Sequence, residues 1–148
     1  MGDSLKLRCG SPDDEDWLFQ LFRTTMQNHI DAAWGWDELL QKEGFVTSLP
    51  AIKFQVLDSP DGRARSYHLT EKDSHLLLDI ILVEPEYQRQ GLGNFMMEQI
   101  KAHSINSNKL IQLSVLKTNP AVLFHLQSGF QQISADKHSL QMSWSASI

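Results

Sequence analysis

The stretch IILVEPEYQRQGLG, at residues 80–93, joins a buried strand to a helix through a glycine-bearing loop. Residues 76–83 are almost continuously apolar, which is typical of a central strand covered on both faces. From Gly91 onward the apolar residues recur at helical spacing. Because the first main-chain N–H groups of a helix lack partners within it, the pattern predicts a loop suited to bind phosphate.

Two glycines in this loop would let an anion approach the main chain. Gly91 and Gly93 have no Cβ, and Arg89 adds a cation beside them. A dinucleotide-binding fingerprint requires a third glycine where this chain has Met96, and the Gly-Lys-Ser/Thr of a P-loop occurs nowhere. From the residues alone, a tight strand-to-helix turn without a ligand remains the competing interpretation.

Composition excludes several classes of protein. The 148 residues, 41% of them apolar, suffice for one hydrophobic core, so we expect a single domain over residues 1–148. A single cysteine, Cys9, and an N-terminus without a secretory signal predict a cytoplasmic location. The net charge of -5 and the lack of a long apolar run argue against nucleic acid and membrane partners.

The rest of the chain alternates strand and helix patterns. An apolar stripe from Trp17 to Ile30 predicts a core-facing first helix, which begins near Ser11 and Pro12. The other predicted helices cover residues 37–46, the region from Gly91 to the loop at 106–108, and residues 120–127. The other predicted strands cover residues 5–8, 52–57, 63–69, 110–116, 130–134 and 140–144.

One carboxylate interrupts the apolar strand. Asp79 lies within residues 76–83, where an unpaired charge would cost several kcal/mol. It must therefore be paired, hydrogen-bonded or face a wet cleft. A cleft position would make Asp79 a candidate general base, and a structural hydrogen bond to a neighbouring strand is the alternative.

Two motifs resemble those of the GNAT superfamily of acetyl-CoA-dependent N-acetyltransferases. Residues 80–93 are similar to its cofactor motif, Gln/Arg-x-x-Gly-x-Gly/Ala after a strand and a Pro-Glu-Tyr turn. Residues 113–121, followed by Phe124-His125 and Gly129-Phe130, resemble its second motif. The resemblance covers about residues 76–134. It implies an α/β (α+β) fold with one mixed, mostly antiparallel sheet of six to seven strands, flanked by about four helices.

The resemblance also implies where acetyl-CoA lies and that no metal takes part. The pantetheine arm would occupy the gap between strands 76–83 and 110–116, contacting main-chain groups of Leu82 and Val83. The implied contacts of the pyrophosphate are the loop residues Gln88, Arg89, Gln90, Gly91, Leu92, Gly93 and Asn94. Asn119 and Phe124 would complete the cofactor site.

The implied reaction is direct attack of a primary amine on the thioester in a ternary complex. His125 occupies the position of the family's usual tyrosine acid, and its charged form would be accessible near neutral pH. The acceptor is a small-molecule or peptide amine, and the closing strands, 130–144, offer an edge for a homodimer. The departure at His125 keeps an alternative open, a catalytically weak or inactive acyl-CoA-binding module. An interaction subunit without cofactor is a third class.

Other candidates carry weaker signals. His29, His75 and Glu84 are further candidates for the base, with ordinary surface or strand-end positions as the alternative. Trp34 and Trp36 lie where the family shapes its acceptor pocket, and they would either hold the acceptor or cap the core.

Overall fold

A computed structural model describes residues 6–59, 62–83 and 92–146. Within these residues the chain forms a seven-stranded sheet and four α-helices. The strands are β1 (Lys6–Cys9), β2 (Phe54–Ser59), β3 (Gly62–Glu71), β4 (His75–Val83), β5 (Leu110–Leu116), β6 (Gln131–Ala135) and β7 (Ser139–Trp144). The helices are α1 (Glu15–Trp34), α2 (Glu38–Ser48), α3 (Leu92–Ser107) and α4 (Ala121–Gln127).

The strands lie side by side in the order β1-β2-β3-β4-β5-β7-β6. Every neighbouring pair is antiparallel except β4 and β5, which are parallel. Parallel neighbours require a crossover connection, and here that connection contains α3. The predicted fold class, a mixed and mostly antiparallel sheet with helices around it, is confirmed.

Helices α1 and α2 are separated by a short break, as predicted. Helix α1 extends to Trp34 and ends at Gly35, whose φ of 87° lies in the region that favours glycine. Asp37 then caps α2, because its Oδ1 accepts a 3.0 Å hydrogen bond from the Leu40 main-chain N–H. Among the described residues, no helix combines the length and apolar character needed to cross a membrane.

Two apolar clusters cover opposite faces of the sheet. Adjacent residues of one strand, such as Val115 and Leu116, belong to different clusters, as the alternation of a strand requires. The first cluster packs α1 and α2 on the sheet through the rings of Phe19, Phe22, Phe45 and Phe54. The second packs α3 on the other face through Met96, Met97 and Ile100. The predicted α1 stripe is core, with Leu18, Leu21, Phe22 and Ile30 buried.

Strands β4 and β5 run together over only part of their length. The parallel ladder pairs His75–Leu78 with Leu110–Leu113 and ends there. Beyond it, β4 continues along β3 and β5 continues along β7. Each strand thus follows its antiparallel neighbour, and a gap opens between the two parallel strands.

A bulge on β4 lies where this gap begins. His68 of β3 pairs with Ile80, and the next residue, Leu69, pairs with Leu78. Asp79 is therefore the extra residue of the bulge and has no partner in the β3 register. Because a bulge bends its strand and increases the local twist, it favours the divergence of β4 from β5.

Candidate active site

The gap between β4 and β5 forms a cleft of about 100 Å³. Helix α1 contributes one wall through Met26, and the start of α4 contributes another. The lining is mostly apolar, with a few polar groups, an arrangement typical of ligand sites. Its residues are Met26, Leu78, Asp79, Ile80, Ile81, Leu113, Ser114, Val115, Leu116, Asn119, Ala121 and His125.

Asp79 is both hydrogen-bonded and open to this cleft. Its Oδ2 lies 2.7 Å from His68 Nδ1 and accepts a 2.7 Å hydrogen bond from Thr70 Oγ1. The side chain remains 20% exposed and lines the cleft. Two of the alternatives given by the sequence are thus realised together, since the structural hydrogen bonds do not remove the carboxylate from the cleft.

Sequence reasoning missed His68 and Thr70. Both lie on β3, two residues apart and therefore on one face of that strand. The only signal in the sequence was a histidine and a threonine two residues apart, in a strand next in the chain to the one that contains Asp79. A simple antiparallel register would not have aligned both with Asp79, because the bulge shifts the pairing by one residue.

His125 lines the same cleft from α4 and is only 4% exposed. Its ring contacts those of Phe124 and Phe130, with centroid distances of 5.5 and 5.7 Å. Its Nδ1 is buried and has no hydrogen-bond partner among the described residues. Burial lowers the pKa of the imidazole to about 4. The expectation that its charged form is accessible near neutral pH is therefore wrong, because the ring is neutral there.

Asn119 also lines the cleft, and its amide group is engaged within the protein. Its Oδ1 accepts a 2.9 Å hydrogen bond from the Ala121 main-chain N–H at the start of α4. Its Nδ2 lies 3.6 Å from the Met26 sulfur. Next to it, Thr118 Oγ1 donates a 2.7 Å hydrogen bond to the His29 carbonyl oxygen. These contacts fix α1 and α4 around the cleft.

The predicted phosphate loop lies mainly outside the described residues. Gln88, Arg89, Gln90 and Gly91 belong to residues 84–91, for which no structure is described, as does Glu84. Leu92 and Gly93 begin α3, as the helical period predicts. Of the strand residues, Leu82 pairs with Ser66, and Val83 pairs with Arg65, both on the β3 side.

Two further predicted cofactor residues meet in a second cleft. Asn94 of α3 and Phe124 of α4 line a space of about 310 Å³ between these helices. The two clefts flank α4, since Phe124 lines one and the adjacent His125 lines the other. Of the predicted site residues, Asp79, Asn119 and His125 therefore line one space, and Asn94 and Phe124 line the neighbouring one.

The remaining candidates separate clearly. His75 stands at the start of β4, within the paired part of the β4–β5 ladder rather than in the gap. Trp36 packs on Phe22 with ring centroids 6.0 Å apart, so it caps the core. Trp34 is 59% exposed and meets His138 at 5.2 Å, so core capping is wrong for this residue. Across residues 6–59, 62–83 and 92–146, no cluster of three His, Cys, Asp or Glu could hold a metal ion.

The cleft is suited to an extended ligand with an apolar arm. Beyond Leu78 the β4 edge has no β5 partner, so it is open to an additional extended chain. Helix α3 begins at Leu92, after residues 84–91 that follow β4, and its N-terminus carries the positive end of the helix dipole. These features suit an extended ligand, and the carboxylate of Asp79 lines the same cleft.

No curated protein sequence matches the chain significantly. Among solved structures, the PaiA N-acetyltransferase from Thermoplasma acidophilum, in complex with coenzyme A, has a TM-score of 0.79 at 14% identity, with 97% of this chain and 99% of that chain covered. The ribosomal-protein-S18-alanine N-acetyltransferase from Escherichia coli has a TM-score of 0.71 at 17% identity, with 97% and 96% covered.

At such low identities these structures show the fold. The family assignment comes from the sequence, which matches the description "Acetyltransferase (GNAT) domain" over residues 40–143. Because that match spans more than half of the chain, the protein belongs to the GNAT family of acetyl-CoA-dependent N-acetyltransferases.

Proposed function

We propose that this protein transfers an acetyl group from acetyl-CoA to a primary amine by direct attack in a ternary complex, with Asp79 as the general base. Acetyl-CoA supplies the acetyl thioester. The observation that carries the proposal is the position of Asp79, a carboxylate at the opening of the β4–β5 gap with one oxygen held by two hydrogen bonds.

The proposed base removes the proton that makes the acceptor unreactive. A primary amine is largely an ammonium ion at neutral pH, and only the neutral form is a nucleophile. Asp79 Oδ2 is held by His68 and Thr70, whereas Oδ1 makes no hydrogen bond within the described part of the chain. The ammonium N–H bond breaks and an O–H bond forms at Oδ1, directly or through one water.

His125 has a different role from the charged acid implied by the family position. Because the imidazole is neutral at pH 7, it stabilises the departing sulfur by donating a hydrogen bond from a ring N–H. As the tetrahedral intermediate collapses, the C–S bond breaks, and the proton that the new amide nitrogen loses passes through water to the leaving thiolate. The place of His125 in the lining of the same cleft as Asp79 supports this assignment.

The cofactor contacts of the proposal follow the motif. Main-chain groups of Leu82 and Val83 bind the arm, and residues Gln88 to Asn94 surround the pyrophosphate. Asn119 borders the arm, and Phe124 lines the neighbouring space between α3 and α4. The loop is tested by Gly91→Val, which we expect to abolish acetyl-CoA binding while the melting temperature of the free protein stays unchanged. Undiminished affinity would contradict this placement.

The acceptor is a small-molecule or peptide amine. The Escherichia coli structure is named for an alanine N-acetyltransferase of a ribosomal protein, so a peptide N-terminus belongs among the substrates to be tested. Exposed Trp34 and its neighbour His138 form an aromatic surface on which an acceptor side chain can pack.

We also propose a cytoplasmic location and a single domain.

A homodimer through the closing strands is a further part of the proposal. All five residues of β6, at one edge of the sheet, are exposed. Light scattering of the purified protein tests this prediction.

One observation favours a second function, an acyl-CoA-binding module with little turnover. A neutral His125 is a weak donor to a leaving thiolate, so the step after amine attack would be slow. This module would bind acetyl-CoA as tightly as the enzyme, which means that binding alone does not distinguish the two.

The decisive experiment measures binding and transfer with the same protein. Calorimetry gives the acetyl-CoA affinity, and thiol release with mass spectrometry reports acetylation of an alanyl peptide, lysine and a diamine. Asp79→Asn retains an oxygen for the His68 and Thr70 donors but cannot accept the ammonium proton. We expect kcat/KM to fall by about 10²- to 10⁴-fold, with unchanged acetyl-CoA affinity.

Asp73→Asn is the matched control, because Asp73 is exposed in the turn before β4. It should behave as the wild type. Wild-type kcat in Asp79→Asn would exclude Asp79 as the base. Binding without transfer to any amine of the panel would favour the binding module.

A further inference from the structure

His68 is a buried histidine whose partner is the proposed base. The residue is 2% exposed and lies on β3 beside the bulge of β4. Its ring packs edge-on against Phe54, with centroids 5.0 Å apart, which fixes the plane of the imidazole. A histidine this deeply buried is expected to have a specific hydrogen-bonding partner, and Asp79 provides it.

The hydrogen bond determines the tautomer of His68. An ionised carboxylate only accepts hydrogen bonds, so the 2.7 Å contact between His68 Nδ1 and Asp79 Oδ2 places the proton on Nδ1. The other nitrogen, Nε2, is buried without a partner among the described residues. Among the described residues, Asp79 is therefore the only hydrogen-bond partner of the His68 ring.

The bulge makes the orientation of Asp79 depend on side-chain contacts. Asp79 has no opposing residue in the β3–β4 register, so the ladder does not fix its side chain as it does for paired residues. Oδ2 instead receives two donors, His68 Nδ1 and Thr70 Oγ1, each at 2.7 Å. Two bonds to Oδ2 restrain the carboxylate, and the residue lines the cleft.

We propose that His68 is a positioning residue, which, together with Thr70, holds the Asp79 carboxylate so that Oδ1 faces the acceptor amine. This inference rests on the proposed function. The proton leaves the ammonium nitrogen and binds to Asp79 Oδ1, and His68 retains its own proton throughout. Poor placement of a catalytic group slows the reaction without a matching loss of substrate binding.

The test uses pairs of substitutions that differ in the donor. In His68→Asn the amide N–H takes the place of Nδ1–H, whereas His68→Leu removes the donor and keeps the site filled. We expect His68→Leu to lower kcat by about 10- to 100-fold, and His68→Asn to restore it to within about threefold of the wild type. The KM and Kd for acetyl-CoA should not change. Thr70→Val and Thr70→Ser form a second pair, with loss expected only for valine.

Controls separate positioning from a structural effect. His75→Leu, on β4 within the paired ladder, should leave kcat unchanged. In the background of Asp79→Asn, His68→Leu should cause no further loss of kcat, because the residue acts through Asp79. An equal loss in His68→Asn and His68→Leu, or wild-type kcat in His68→Leu, would overturn the proposal.

A spectroscopic measurement works before any acceptor is known. Long-range ¹H–¹⁵N NMR of the intact protein should show His68 protonated at Nδ1, and Asp79→Leu should change that signal. A proton on Nε2 alone would overturn the inference, since His68 would then donate nothing to Asp79. If Asp79→Asn is inactive while His68→Leu is unaffected, only this inference fails; if Asp79→Asn is fully active, the proposed function fails.

Discussion

Leu78 and Leu113 are the last paired residues of the parallel ladder between β4 and β5. The strands separate immediately after them, and the bulge residue Asp79 stands at that point. The same feature of the sheet therefore opens the space for a ligand and places a carboxylate beside it.

Filling this gap should block the cofactor. Ser114 and Ser134 both contact the side chain of Gln141, but only Ser114 lines the cleft. We expect Ser114→Trp to weaken acetyl-CoA binding by at least about tenfold, which corresponds to about 1.4 kcal/mol. Ser134→Trp, on the exposed edge strand β6, should bind normally by calorimetry. Equal acetyl-CoA affinities in the two variants would show that the pantetheine arm does not occupy this cleft.

The buried His125 should make stability depend on pH. The unfolded chain binds a proton near the ordinary histidine pKa, whereas the folded protein binds it only near a pKa of about 4. The unfolded state therefore holds more protons between these values, and stability falls as the pH falls through this window. Between pH 7.5 and 5, His125 should account for a loss of about 2 kcal/mol.

Urea denaturation of the wild type and His125→Leu at the two pH values measures this contribution. The leucine variant should lack the acid-dependent loss, and His75→Gln should retain it. A stability difference between wild type and His125→Leu that does not change with pH would contradict the burial of a neutral imidazole.

Two glycines should respond oppositely to the same substitution. A Cβ at Gly10 would overlap the Ala51 carbonyl oxygen, so Gly10→Ala should destabilise the fold by about 1–3 kcal/mol. A Cβ at Gly44, within α2, would meet nothing within 4 Å. Gly44→Ala should therefore stabilise the protein by about 0.5–1 kcal/mol, because alanine favours helix. Thermal unfolding of the two variants checks both expectations. A Gly10→Ala variant as stable as the wild type would contradict the close approach of Gly10 to the Ala51 carbonyl oxygen.

The two tryptophans at the junction of α1 and α2 should differ in their effect on stability. Trp36 packs on Phe22 and its Nε1–H donates a 3.0 Å hydrogen bond to Glu38, so Trp36→Ala should cost about 2 kcal/mol. Trp34 is mostly exposed, and Trp34→Ala should change stability by less than about 0.5 kcal/mol. Denaturant titration of both variants measures the loss in the free energy of unfolding. Equal losses in the two variants would contradict the different burial of the two rings.

Local pattern determined much of this protein. The apolar run at β5 predicted both of its ends, Leu110 and Leu116. The helical stripe of α1 predicted four of its five buried residues and missed the fifth, Phe19. The order of strand, glycine-bearing loop and helix, with the second motif, identified the family. Asp79 stood out because a charge in an apolar strand is costly wherever the strand lies.

Tertiary structure decided what surrounds these residues. The bulge that brings His68 and Thr70 to Asp79 is a property of the register between β3 and β4, which periodicity within one strand does not specify. The low pKa of His125 follows from burial beside Phe124 and Phe130, a result of packing across the fold. Sequence periodicity determines which face of an element is apolar, whereas long-range packing determines which residues from different elements meet and how far water reaches them.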